Sequence, residues 1–118
     1  MTQHKKLLTH AKRKFGAEPD HPFEQYPNYA VLRHADNDKW FALFMSVDCR
    51  KLNLKGSGEV PILDVKCPPE QIGALRQQAG FLPAYHMNKE HWISVVLDGT
   101  ITDEQLFELL DASFELTA

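Results

Sequence analysis

Cysteine is scarce in this chain. Its 118 residues include two, Cys49 and Cys67, eighteen positions apart. That is neither the close pairing of a zinc site nor the density of a disulfide scaffold. Both thiols are expected to be reduced and at least partly buried, and the fold must rest on a hydrophobic core. Long apolar runs are also missing: nothing approaches the ~20 residues that a membrane helix needs. The opening Met1-Thr2-Gln3-His4-Lys5-Lys6 lacks the apolar stretch of a secretory signal. These absences exclude a disulfide-stapled secreted module and a helical membrane protein, and they lead to the expectation of a cytoplasmic protein without a membrane partner. No internal repeat or low-complexity tract is present.

What is there is an ordinary globular composition, 43% hydrophobic and 25% charged, at a length that suits one domain over residues 1–118 and a core of its own. The net charge of −3 argues against a surface that is a phosphate receptor throughout. That sum hides an asymmetry, because residues 1–14 carry Lys5, Lys6, Lys12, Arg13 and Lys14 with no acid, while residues 98–118 carry six acids and no base. Two readings follow: terminal helices lying side by side with weakly attracting charges, or a nucleic-acid surface on the first helix.

Thr2 caps a predicted helix with Leu7, Leu8, Ala11 and Phe15 on one face, ending at Gly16. Pro19, Pro22 and Pro27 then mark a loop or irregular edge strand among acidic and aromatic residues. Residues 29–34 and 39–47 read as a hairpin around Asp36-Asn37-Asp38. In its second strand Phe41, Leu43, Met45 and Val47 are uniformly apolar and are expected to face the helices. Residues 48–55 are expected to continue as a short strand up to Gly56-Ser57-Gly58, and 60–67 as another, where Pro61 suggests an edge or a bulge. Pro69 opens a helix that Gly80 stops. Residues 92–97 alternate, with Ile93, Val95 and Leu97 on one face and Trp92, Ser94 and Val96 on the other. Thr102-Asp103-Glu104-Gln105 is a capping box for a C-terminal helix striped by Leu106, Leu109, Leu110 and Phe114. This order predicts an α+β two-layer sandwich, a mainly antiparallel sheet with helices packed on one face.

The densest polar chemistry lies in Phe81-Leu82-Pro83-Ala84-Tyr85-His86-Met87-Asn88-Lys89-Glu90-His91-Trp92, which puts two imidazoles, an amide, an ammonium, a phenol and an indole at the mouth of a strand. Together with Leu63-Asp64-Val65-Lys66-Cys67-Pro68-Pro69-Glu70 and the Leu75-Arg76 helix, it resembles the signature of the MmcQ/YjbR family, small bacterial proteins described as predicted DNA-binding proteins. The resemblance covers nearly the whole chain. It implies a frataxin-like (CyaY-like) arrangement, also called a double-wing fold. The carboxylate ridge that holds iron in frataxins has no counterpart here, since the first helix carries five cations and no acid.

His86 and His91 are five apart, which fits no standard zinc pattern. No serine, cysteine or carboxylate stands at a spacing that predicts a nucleophile relay. No metal, cofactor or catalytic residue is therefore assigned, and an enzyme is the third choice. The candidate binding residues are Lys66, Tyr85, His86, Asn88, Lys89, His91 and Trp92, which mix cations for phosphates with rings and amides for bases. Arg50, Lys51 and Lys55, beside the glycine tip, are candidate nucleic-acid contacts. Family members often carry arginine at the position of Tyr85, so this chain lacks one guanidinium. Against recognition stand purely structural roles: Trp92 packed in the sheet, Asn88 holding a turn, His86 bonded to a carbonyl. The expectation is a small binding protein, a monomer, with DNA as the leading ligand and a small molecule or protein as the alternative.

Overall fold

The structure, a computed structural model, describes residues 1–118. Helix α1 spans Gln3–Phe15. The Thr2 side chain accepts the Lys5 N–H at 3.2 Å, and Gly16 ends the helix at φ 68°, a left-handed conformation that glycine adopts without strain. Strands β1 (Ala30–Arg33) and β2 (Trp40–Asp48) form the expected hairpin. A 3₁₀ turn at Cys49–Leu52 leads to β3 (Glu59–Lys66). Helix α2 (Pro69–Leu75), the short β4 (Phe81–Pro83), β5 (Trp92–Val96) and helix α3 (Asp103–Leu116) complete the chain. The sheet runs β1-β2-β3-β5-β4 with every neighbouring pair antiparallel. No helix is long and apolar enough to cross a membrane.

Helices α1 and α3 lie together on one face, as the α+β reading expects. Leu7 and Ala11 of α1 and Leu106 and Leu110 of α3 join Leu32, Phe44, Leu63, Val65, Ile93 and Val95 of the sheet in an 18-residue buried core. The opposed terminal charges also meet: Lys6 reaches Asp103 at 2.8 Å, and His10 and Lys14 reach Asp111 at 2.8 and 2.6 Å. That is the side-by-side reading of the charge asymmetry. Burial pushes the Asp111 carboxyl up, but the hydrogen bonds from Lys14 and His10 and their charges outweigh it and hold it below its ordinary range.

Four local expectations are corrected. Phe41 faces the helices, but Leu43, Met45 and Val47 face away from them, into a second cluster with Val31, Ile62 and Val96. The cause is a bulge: Leu32 pairs with Ala42 and Arg33 with Trp40, so Phe41 is the extra residue and the alternation slips by one. Ser113 of α3 sustains that irregularity, donating to the Phe41 carbonyl at 2.7 Å and accepting the Lys66 N–H at 2.8 Å. Residues 48–55 are not a strand, because the Asp48 side chain accepts the Arg50 N–H at 2.9 Å and turns the chain into the 3₁₀ helix.

Pro61 lies in a central strand rather than at an edge. The Leu97 N–H donates to its carbonyl at 2.9 Å, so its missing N–H removes only the last rung opposite the end of β5. Helix α2 ends at Leu75, earlier than Gly80. Phe81–Pro83 adds a short strand that pairs with β5 at the sheet's edge, where proline is tolerated.

Candidate functional site

The face of the sheet turned away from the helices is covered by loops. Three meet there: residues 17–29 before β1, the turn and loop after β2, and residues 84–91 between β4 and β5. Their partly buried side chains Phe23, Tyr29, Leu54, Tyr85 and Met87 pack against the second cluster, which has seven buried residues.

Beneath the 84–91 loop lies a polar pair in an otherwise apolar layer. Asp64 of β3 and Ser94 of β5 are cross-strand neighbours, and both are 0% exposed. Ser94 donates its hydroxyl to Asp64 Oδ1 and accepts the Tyr85 N–H at 2.9 Å. Asp64 Oδ2 has no hydrogen-bond partner. Burial raises the Asp64 carboxyl to about 7, against the opposing influence of the Ser94 hydrogen bond and the Lys89 charge. The loop is thus tied to the sheet through a serine hydroxyl resting on a buried acid. His86 takes φ 66°, the left-handed region that a β-carbon disfavours.

Of the binding residues read from the sequence, two join one cavity. Lys89 and Tyr85 line a cavity of about 250 Å³ whose other wall includes Lys51 and Asn53 of the turn after β2. A second cavity of about 470 Å³ shares Leu52, Asn53, Leu82 and Pro83 with it and adds Arg76. Together they form a groove with three cations and no acid among its lining residues. His86 belongs instead to the far side of the same loop, where it lines a cavity of about 240 Å³ with Met87 and four aromatic rings.

The other predicted residues line none of these three cavities. Lys66 pairs with Trp92 across the β3–β5 ladder, and both are half-buried. Asn88 holds the turn: its Oδ1 accepts the Glu90 N–H at 2.8 Å and its carbonyl the Trp92 N–H at 2.9 Å. His91 is exposed, and its carbonyl accepts the Cys67 N–H at 2.9 Å. Arg50 folds back on Asp48, with Nη2–Oδ2 at 2.9 Å and Nε–Oδ1 at 3.2 Å. Lys55 is exposed on the following loop. No three His, Cys, Asp or Glu side chains come together as a metal cluster.

Sequence reasoning missed Asp64, Arg76 and the aromatic wall. The signal for Asp64 was available: a carboxylate two positions after Ile62 and two before Lys66, on the same alternation as Ser94 opposite. For the wall it was the density of rings in Phe23, Tyr26 and Tyr29, more than a solvated proline-rich connection needs.

A five-stranded antiparallel sheet with α1 and α3 on one face and a cavity-bearing loop layer on the other defines an α+β protein. The chain belongs to the YjbR family, whose sequence model matches residues 12–116. It is 50% identical to YyaQ of Bacillus subtilis (strain 168) over 94% of both chains, and 43% identical to YjbR of Escherichia coli (strain K12) over 92% of this chain and 81% of that one. Both relatives are described as uncharacterized. A crystal structure of a Pseudomonas syringae protein superposes with a TM-score of 0.94 at 45% identity, covering 97% of each chain. A Deinococcus radiodurans protein of 28% identity superposes with a TM-score of 0.75, covering 98% of this chain and 78% of its own.

Proposed function

We propose that this protein binds nucleic acid through the loop-covered face, with phosphates held in the groove between Lys51 and Lys89. The observation that carries the reading is the groove's charge. A chain of net −3 keeps Lys51, Lys89 and Arg76 around one continuous depression whose lining includes no carboxylate, and phosphate contacts supply most of non-specific nucleic-acid affinity. Arg50, although exposed, is neutralised by Asp48 and contributes little; Lys55 adds to the field from the adjoining loop. The cations of α1 that pair with α3 are already spent on Asp103 and Asp111.

Binding without catalysis suits the polar groups present. The Ser94 hydroxyl is fully buried, commits its proton to Asp64 and has no imidazole beside it, which is the wrong environment for an activated nucleophile. A nucleic-acid ligand goes with a cytoplasmic location, and buried, unpaired Cys49 and Cys67 suit that reducing setting. The test is polarisation of a labelled oligonucleotide over a salt series. Log affinity should fall linearly with log salt, and Lys51→Gln and Lys89→Gln should each make the slope shallower by about one. Absence of binding at low salt, where phosphate contacts are strongest, would sink the reading.

A further inference from the structure

We infer that the cavity on the other side of the 84–91 loop is a stacking site for one unpaired nucleobase, which makes the ligand a single strand rather than a duplex. This rests on the nucleic-acid reading above and specifies its ligand.

The cavity is built of rings. Tyr26 lies parallel to Tyr29, with centroids 4.7 Å apart and planes within 14°. Phe23 stands edge-on to Tyr29 at 6.0 Å and to Trp40 at 5.8 Å. Leu43 and Met45 of β2 also line it, with His86 and Met87 from the loop. The bulge at Phe41 creates this arrangement by turning Trp40, Leu43 and Met45 to this face. Tyr26 leaves 48% of its surface exposed, so this wall of the cavity is open to a ligand from solvent.

Size and charge narrow the occupant. At about 240 Å³ the cavity is smaller than the roughly 300–1,000 Å³ of clefts that enclose drug-sized molecules, so it suits one planar ring system. Aromatic walls also attract cations, but no carboxylate lines this cavity to neutralise one, and the neighbouring groove repels it with Lys51 and Lys89. A neutral flat ring carried on an anionic backbone satisfies both cavities at once. Adjacent loop residues connect them: Tyr85 lines the cationic groove, His86 lines the aromatic cavity, and their rings are 4.0 Å apart. Bases in a duplex are stacked and paired, and extruding one costs a few kcal/mol. A single strand presents its bases without that cost, and stacking on aromatic side chains tolerates any sequence.

The experiment compares a labelled single-stranded oligonucleotide, the corresponding duplex and a single strand with abasic sites, at low salt, on the wild-type chain and on Tyr26→Ala. The expected result is single-strand binding about tenfold tighter than duplex binding, lost to a similar degree both by the abasic strand and by Tyr26→Ala. The melting temperature of Tyr26→Ala should stay near that of the wild type. Equal or tighter duplex binding, or an abasic strand that binds as well as the intact one, would overturn the base site while leaving phosphate binding standing. If neither strand form binds, the nucleic-acid reading falls and takes this inference with it. The abasic arm leaves the protein unaltered, so it decides the matter even if the tyrosine variant folds poorly.

Discussion

The two faces of the sheet are built on different principles. The helix face buries an apolar cluster of 18 residues under α1 and α3, with His34, Ser113 and Thr117 buried beside it. The loop face buries seven and adds a carboxylate with an unpartnered oxygen, a left-handed histidine, a cationic groove and an aromatic cavity. A helix satisfies its own backbone and needs only apolar contact to seal a sheet. Loops cannot do so, and their covering leaves gaps and half-satisfied polar groups. The helix face therefore supplies most of the buried core, while the loop face holds the buried acid, the cationic groove and the aromatic cavity.

The largest effect is expected on the helix face. Leu110, fully buried between α3 and the sheet, should cost about 2 to 5 kcal/mol on replacement by alanine, through lost burial and a residual cavity. Equilibrium denaturation measures it, and an unchanged midpoint would break the comparison at its root.

Next comes the buried acid of the loop face. Because the folded state holds the Asp64 proton up to about pH 7 while an unfolded chain releases it near 4, the native state binds more protons in that window. Stability should therefore fall as pH rises from about 4 to 7 and level off above, by an amount on the order of a few kcal/mol at most. Asp64→Asn should remove that slope, and denaturation curves at pH 5 and 8 suffice to see it. Lys89→Gln, by deleting the charge that favours the carboxylate, should shift the window upward. A pH dependence identical in wild type and Asp64→Asn would show that folding leaves the Asp64 carboxyl at its ordinary value.

A smaller change separates binding from folding. The double variant Lys51→Gln, Lys89→Gln should weaken oligonucleotide binding by about tenfold or more at low salt while shifting stability within ±0.5 kcal/mol, since both side chains are exposed. Loss of stability with affinity intact would reassign the groove to the fold.

The smallest effect concerns the ion pairs between α1 and α3. Asp111→Asn should cost about 0 to 1 kcal/mol at neutral pH. Since Asp111 is held below its ordinary value, that contribution should be present above about pH 4 and disappear as pH falls through the lowered folded value. Adding salt should erase it, whereas the Leu110 effect should persist.

Much of the helix face was legible in the residues. Thr2, Gly16 and Thr102 mark helix ends because caps act within one turn, and Ile93, Val95 and Leu97 face the helices because a five-residue strand without interruption keeps its period. Family membership was legible too, from residues 63–70 and 86–92. The chain alone also determined where its polar chemistry is concentrated, around Tyr85, His86 and Lys89.

Tertiary structure decided what that chemistry touches. The inward side of β2 depended on a bulge held by Ser113, 72 residues away from Phe41, and local alternation carries no sign of such a slip. Asp64 became a buried acid because β5 and the 84–91 loop close over it, and Lys51 met Lys89 because β4 lies at the far edge beside β5. Caps and periods are set by neighbours along the chain, so sequence specifies them. Burial, register and the meeting of loops are set by strand order, which brings together residues that no local rule relates.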